Sequence, residues 1–247
     1  MGYSYPAIVQ GNDGDQFGDQ VTALFPVGQK MELPDNRIFR YAEAGVLTVA
    51  NNLYQSEVPK ADWLREATAT ATVKDDTRID GVITTAALVA NDMVEGYVMF
   101  ETGDDFGRIY QIAENEVGSD IVHGLMLKPD VTVGVIVTAS NSINMIKNPW
   151  KGIIAKPASD QTALVVGVTP SVIASGDWGW CQTRGVGSCL LDGVVIIGQE
   201  VRPSETVAGA VSELNYDEGT VEDNGPVGRV VEVAPTADFG LILLTIE

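Results

Sequence analysis

The sequence predicts an all-β protein, made of antiparallel β-barrel or sandwich domains behind an extended N-terminal arm. Three observations carry that expectation. Short runs of β-branched and aromatic residues recur along the chain. Turn-forming residues separate most of them, with 26 glycines and 11 prolines among 247 residues. No helical apolar period intervenes between the runs, and strands spaced in this way indicate a sandwich or a closed barrel. With 45% hydrophobic and 20% charged residues, the chain has the composition of a packed protein, and its length is enough to bury a core without staples.

Taken in order, residues 1 to 30 are rich in Gly, Asp and Gln and hold no sustained period. They read as an arm that becomes ordered against something else, and its aromatics Tyr3, Tyr5, Phe17 and Phe25 are the candidate partner contacts. From Arg37 to Val49 the residues alternate around Gly45, as a half-buried antiparallel pair should. The segment Ser56 to Ala67 suits a short helix with Ser56 as cap and Pro59 early, after which Thr68 to Val73 returns to strand chemistry. The clearest hairpin joins Glu95–Glu101 to Arg108–Ile112 across the turn residues Thr102 to Gly107. Val131 to Thr138 is nearly all β-branched and reads as a central strand, and Asn148-Pro149 marks a boundary because the residue before proline is driven to an extended conformation.

Beyond Trp150, short apolar runs cover Gly152–Ala155, Leu164–Val168, Trp178–Gln182, Leu190–Ile197, Val227–Val233 and Leu241–Ile246. Trp178 and Trp180, two apart, share one strand face and read as a core pair beneath a barrel wall. The expected organisation is therefore an arm over 1–30, a β-barrel domain from 31–70 plus 150–247, and an inserted or second β-rich domain over 71–149.

Charge and inventory narrow the function. Asp and Glu number 34 against 15 Lys and Arg, a net charge of −19, which argues against nucleic acid because phosphate binding needs a basic face. A monomer of this size exposes on the order of 10,000 Å², so the excess charges lie ~23 Å apart. That exceeds the ~8 Å Debye length at physiological salt, and dense arrays of copies are allowed. No apolar run approaches the ~18 residues of a membrane span, and the first residues lack the basic start and apolar core of a signal peptide. A soluble protein made in a cytoplasm is expected.

The single histidine, His123, lies in a strand-like run and reads as a packed strand residue, and no Gly-x-Ser-x-Gly elbow presents a nucleophile. Two cysteines and one histidine do not make a structural zinc site. Cys181 and Cys189 are symmetric about Gly185, so a hairpin turning at Arg184–Gly187 would bring them face to face. Cytoplasmic synthesis favours two reduced, buried thiols over a disulfide there. Nucleotide-binding glycine motifs are missing. The stretch from Asp13 begins like a calcium loop, yet its twelfth position is Leu24 where a bidentate glutamate is needed. Paired carboxylates remain the one catalytic device that composition leaves open, and no particular pair is indicated. No catalytic, cofactor-binding or metal residue is therefore expected.

The run from Val166 to Gly185 contains a Gly-Val strand followed by Gly176-Asp177-Trp178-Gly179-Trp180-Cys181-Gln182-Thr183-Arg184-Gly185. It resembles the barrel signature of auxiliary head proteins of tailed bacteriophages, the decoration or cement proteins. Asn36–Ala42 with Ala44-Gly45, and Val227–Val230 with Leu241–Ile246, are similar to the first and last strands of such chains. The resemblance covers about half of the chain, mostly 150 to 247, and its motifs are structural glycines and strand residues. It implies a non-enzymatic virion protein, a homo-oligomer with the trimer favoured, that binds the capsid exterior and clamps neighbouring copies of the major capsid protein. The chain departs from the small decoration proteins in carrying residues 71 to 149. A tail or fibre protein that binds a receptor is the alternative, followed by a polysaccharide hydrolase that uses two carboxylates.

Overall fold

The computed structural model describes residues 6–82, 88–117, 122–134, 136, 138–139, 141–215 and 225–247. Strands β1 (Ile8–Gln10), β2 (Lys30–Glu32), β3 (Ile38–Ala44) and β4 (Leu53–Gln55) come first. Next are β5 (Glu66–Ala67), β6 (Arg78–Val82), β7 (Tyr97–Phe100), β8 (Ile109–Asn115), β9 (Val122–Leu127) and β10 (Ser142–Ile146). The chain ends with β11 (Lys151–Ala155), β12 (Val165–Val168), β13 (Trp178–Leu190), β14 (Glu200–Pro203), β15 (Val211–Glu213), β16 (Gly228–Glu232) and β17 (Phe239–Thr245). The expected all-β architecture is observed. In place of the helix expected over Ser56–Ala67 there is a single 3-10 turn, Ala61–Trp63, with Lys60 and not Ser56 at its cap position.

The chain divides into two compact units: residues 59–148, and residues 5–58 with 149–247. The first unit is a six-stranded sheet in the order β5-β10-β7-β8-β9-β6. A bridge from Thr68 to Gly81 returns its last strand toward the first. Closure of this kind removes the exposed edges that make open sheets aggregate. Inside lie Trp63, Ile79, Val98, Phe100, Ile112, Leu125, Ile143 and Met145. The hairpin expected at residues 95–112 is present, with Tyr97 opposite Gln111 and Met99 opposite Ile109.

The expected strand at Val131–Thr138 is not observed, for none of its described residues is in a strand. Val133 instead bonds the 73–76 turn, donating its N–H to Asp76 O at 2.9 Å and accepting from Asp75 N–H at 2.9 Å. Its buried side chain joins the core, with the partly buried Val131 packed against it. β-Branched composition records burial as readily as strand pairing.

In the second unit an eleven-stranded sheet runs β1-β2-β3-β11-β4-β12-β13-β17-β16-β14-β15, with β3 also paired to β13. That extra pairing closes β3, β11, β4, β12 and the first half of β13 into a barrel. The second half of β13 pairs with β17, and a bridge from Leu191 to Val211 brings β15 back toward the same chain segment. β13 thus serves two curved sheets: it faces β3 from Trp178 to Arg184 and β17 from Arg184 to Leu190.

This overturns the hairpin expected at Arg184–Gly187, because β13 runs straight through it. Each half of the strand is already satisfied by a distant partner, so Gly185 bends the chain and does not reverse it. Its φ of +90° lies beside the register shift between Gln182 and Arg184, a conformation that glycine adopts at little cost. Gln182 braces the bend by donating its side-chain amide to the carbonyls of Arg184 and Val186, both at 3.1 Å. Consequently Cys181 packs with Ala42, Tyr54, Ile153 and Val166, whereas Cys189 packs with Val201, Val230 and Ile242. Both thiols are buried and free.

The pair expected around Gly45 is also absent. β3 ends at Ala44, and Gly45 donates its N–H to Ile153 O at 2.9 Å. A Cβ at Gly45 would sit 2.7 Å from the Gly152 carbonyl oxygen, so this glycine permits two backbones to touch and does not form a turn.

Candidate functional site

Residues 6–30 have little regular structure, yet they lie against their own barrel. β1 pairs parallel with β2, which makes it the terminal strand of the sheet. Gln20 exchanges 2.9 Å backbone hydrogen bonds with Trp178 in both directions. Tyr41 anchors the stretch from below. Its hydroxyl donates to Gln20 Oε1 at 2.6 Å and accepts from Leu24 N–H at 3.1 Å. The Tyr41 ring stacks on Trp178 at 5.6 Å and meets Trp180 edge-on at 5.0 Å, so the two tryptophans form the expected core pair.

The turn before this anchor is fixed by its own side chains. Asn12 N–H donates to Asp15 Oδ2 at 2.7 Å, Gly14 N–H to Gln16 Oε1 at 2.7 Å, and Gln16 Nε2 to Asp13 Oδ1 at 2.9 Å. Arg37 closes the set, reaching Asp13 at 2.7 Å and Asp35 at 2.6 Å. The Gln16 amide first, and then the Arg37 guanidinium, hold the Asp13 carboxyl below the usual carboxylate range. Side-chain bonding to nearby backbone is the usual reason that Asn and Asp rigidify turns. The calcium-like start of the sequence is in this way consumed by an arginine and by local bonds.

Of the four aromatics singled out, Tyr3 and Tyr5 lie outside the described residues. Phe25 points inward and meets Tyr41 at 5.3 Å and Trp180 at 5.4 Å, so it is part of the barrel packing. Phe17 is presented outward, 59% exposed, directly after the buried Gln16. Val21 at 82% and Leu24 at 54% are further exposed apolar residues of the same segment. Sequence reading passed over these two, although an aliphatic residue inside a Gly/Asp/Gln-rich, aperiodic stretch was a usable signal. Tied to its barrel in this way, the segment holds the exposed Phe17, Val21 and Leu24 in place, with Asp13, Asp15 and Asp19 close by in sequence.

The residues that bear on chemistry are dispersed. His123 is buried in β9 opposite Gly81. Burial pushes both thiols upward, Cys189 to about 12, away from nucleophilic character. In the first unit a groove of about 380 Å³ is lined by Leu64, Tyr97, Met99, Ile109, Asn144 and Ile146. In the second, a pocket of about 230 Å³ lies between Phe17, Arg37, Pro170, Gln182, Val186 and Leu241. Neither lining includes a carboxylate. Glu66 has its carboxyl pushed up, by burial first and then by Asp62, but it does not line the groove. Among the described residues no three His, Cys, Asp or Glu side chains are grouped to hold a metal ion. No protein-family model, curated protein or solved structure matches the chain.

Proposed function

We propose that the protein is a non-enzymatic virion component that binds the exterior of a phage capsid as a homo-oligomer, trimeric by the resemblance, and clamps neighbouring major capsid subunits. The observation that carries this reading is the braced apolar surface of Phe17, Val21 and Leu24, held on the barrel by Tyr41 and by the Asp13–Arg37 pair. A rigid surface loses little entropy on docking, which favours a stabilising contact repeated over many subunits. β1 adds a second means of attachment, because its outer edge pairs with no strand among the described residues and suits strand addition by a partner. The run Gly176–Gly185 that carries the resemblance leads into β13, the strand that the two curved sheets share, without the hairpin of the family's pattern.

The test is co-sedimentation with purified expanded capsid shells. Wild-type protein is expected to pellet with shells, and a Phe17→Ser/Val21→Ser/Leu24→Ser variant to lose that binding at unchanged secondary structure. Equal binding by the variant overturns the site. Gold labelling on the tail and not on the head overturns the capsid reading in favour of a tail or fibre protein.

A further inference from the structure

The β13–β17–β16 wall of the second unit carries apolar side chains on both of its faces. Ile242 and Leu244 of β17 point into the core, while Phe239, Leu241 and Leu243 alternate outward. Register places Val186 of β13 directly opposite Leu243, and Val231 occupies the outward bulge of β16 between Val230 and Glu232. Val233 follows the bulge, and Ile197 precedes Gly198, whose N–H bonds Val230 O at 2.8 Å. Leu241 is half-buried, and the other outward side chains are exposed between 41% for Leu243 and 63% for Ile197. A strand that is apolar on both faces is the pattern of a strand covered on both faces.

We infer that a second copy of this chain covers the wall. Two features of the molecule select that occupant. The first is area. Taking ~200 Å² for a whole Phe and ~110 Å² for an aliphatic side chain, the exposed fractions of Phe239, Leu243, Val186, Val231, Val233 and Ile197 amount to about 350 Å² of apolar surface. A standard interface buries ~800 Å² on each partner, of which ~57% is apolar, so it needs about 450 Å². The wall alone supplies about three quarters of that requirement.

The second is charge. Copies carrying −19 each repel wherever acidic faces meet. On this wall Arg184 and Arg229 stand among Glu200 and Glu232, with Arg229 bonded to Glu200 at 2.8 Å. These four charges balance and so add no net repulsion between like-charged copies at this wall. The inference rests on the proposed oligomeric capsid role and gives that oligomer its contact surface.

Sedimentation velocity of the full chain, without shells, tests it at tens of micromolar. Wild-type protein is expected to sediment as an oligomer, and Leu243→Glu/Val231→Glu as a monomer, with association weakened a hundredfold or more. Both positions are exposed, so folding is checked by an unchanged circular dichroism spectrum. Ile109→Glu, on the exposed face of the other unit, is expected to leave the oligomer intact. A monomeric wild type, an oligomer unmoved by the double variant, or dissociation by Ile109→Glu alone overturns the inference. Failure here is separable from failure of the capsid role: a monomer that still pellets with shells removes only this interface, and an oligomer that ignores shells removes only the capsid role.

Discussion

Replacing Tyr41 by Phe isolates the bond that fixes the candidate contact surface. The ring stays, and with it the stacking on Trp178 and the edge contacts to Phe25 and Trp180. Only the hydroxyl is lost, with its 2.6 Å bond to Gln20 Oε1 and its 3.1 Å bond from Leu24 N–H. A neutral hydrogen bond contributes about 1 kcal/mol net, and a buried group deprived of its partner costs about 1–3 kcal/mol. Both bonds are part-buried and Leu24 is 54% exposed, so water reaches its released N–H and the top of that range does not apply. The expected loss is about 1–2.5 kcal/mol in denaturant unfolding of the unit that holds Tyr41. For a chain of this size that is a melting shift of about 2–10 °C. The loss is also local, so amide exchange should quicken at Leu24 and Gln20 before it does at β13, and shell binding should weaken together with it. Unchanged exchange at Leu24, with a stability change under about 0.5 kcal/mol, would show that Tyr41 does not hold the segment.

The other expectations concern the corner of β13, acid and the thiols. Gly185→Ala puts a side chain at φ +90° and 2.9 Å from Arg37 Cγ, and should cost about 1–3 kcal/mol in urea unfolding. A neutral result would mean that the bend tolerates an ordinary residue. Arg40 bonds the Glu247 carboxylate and lowers its pKa in the folded state. Its contribution is therefore present above the unfolded value near ~4.3 and disappears as pH falls through the depressed folded value. Arg40→Gln also loses the bond to Gly28 O and the contact with Trp150, so it should destabilise more at pH near ~7 than in strong acid; an equal deficit at both would rule out this linkage. Cys181 and Cys189 should resist a thiol reagent in the native state and react only on unfolding, with the melting temperature indifferent to reductant. A reductant-dependent melt would instead reveal a disulfide.

Strand chemistry was legible wherever burial alternated. The 95–112 hairpin has turn residues between two alternating runs, and Trp178 with Trp180 fall on one face as their spacing requires. Failures arose where one residue type serves two physical ends. Gly185 and Gly45 both read as turns, but one bends a thirteen-residue strand and the other lets two backbones approach. Val131–Thr138 has strand composition, yet its described part is tied to a turn by Val133. The arm was legible only by its lack of period. What binds it, Tyr41 below and Arg37 across, is distant in sequence from Gln20 and Asp13, and no local pattern encodes such a pairing.

The same limit explains why the outer wall was invisible in the sequence. Leu241-Ile242-Leu243-Leu244 is a continuous apolar run, and a run without alternation is compatible with burial on one face or on two. Only the register with Val186 and Gly228 shows which members point inward, and so which ones the barrel leaves uncovered. Ile242 and Leu244 satisfy the fold of one copy by themselves. Leu243 and Phe239 add nothing to that core, and exposed aliphatic and aromatic residues on an otherwise acidic chain favour unwanted association. Their presence is accounted for when the surface that folds one copy and the surface that joins two copies are opposite faces of the same strand.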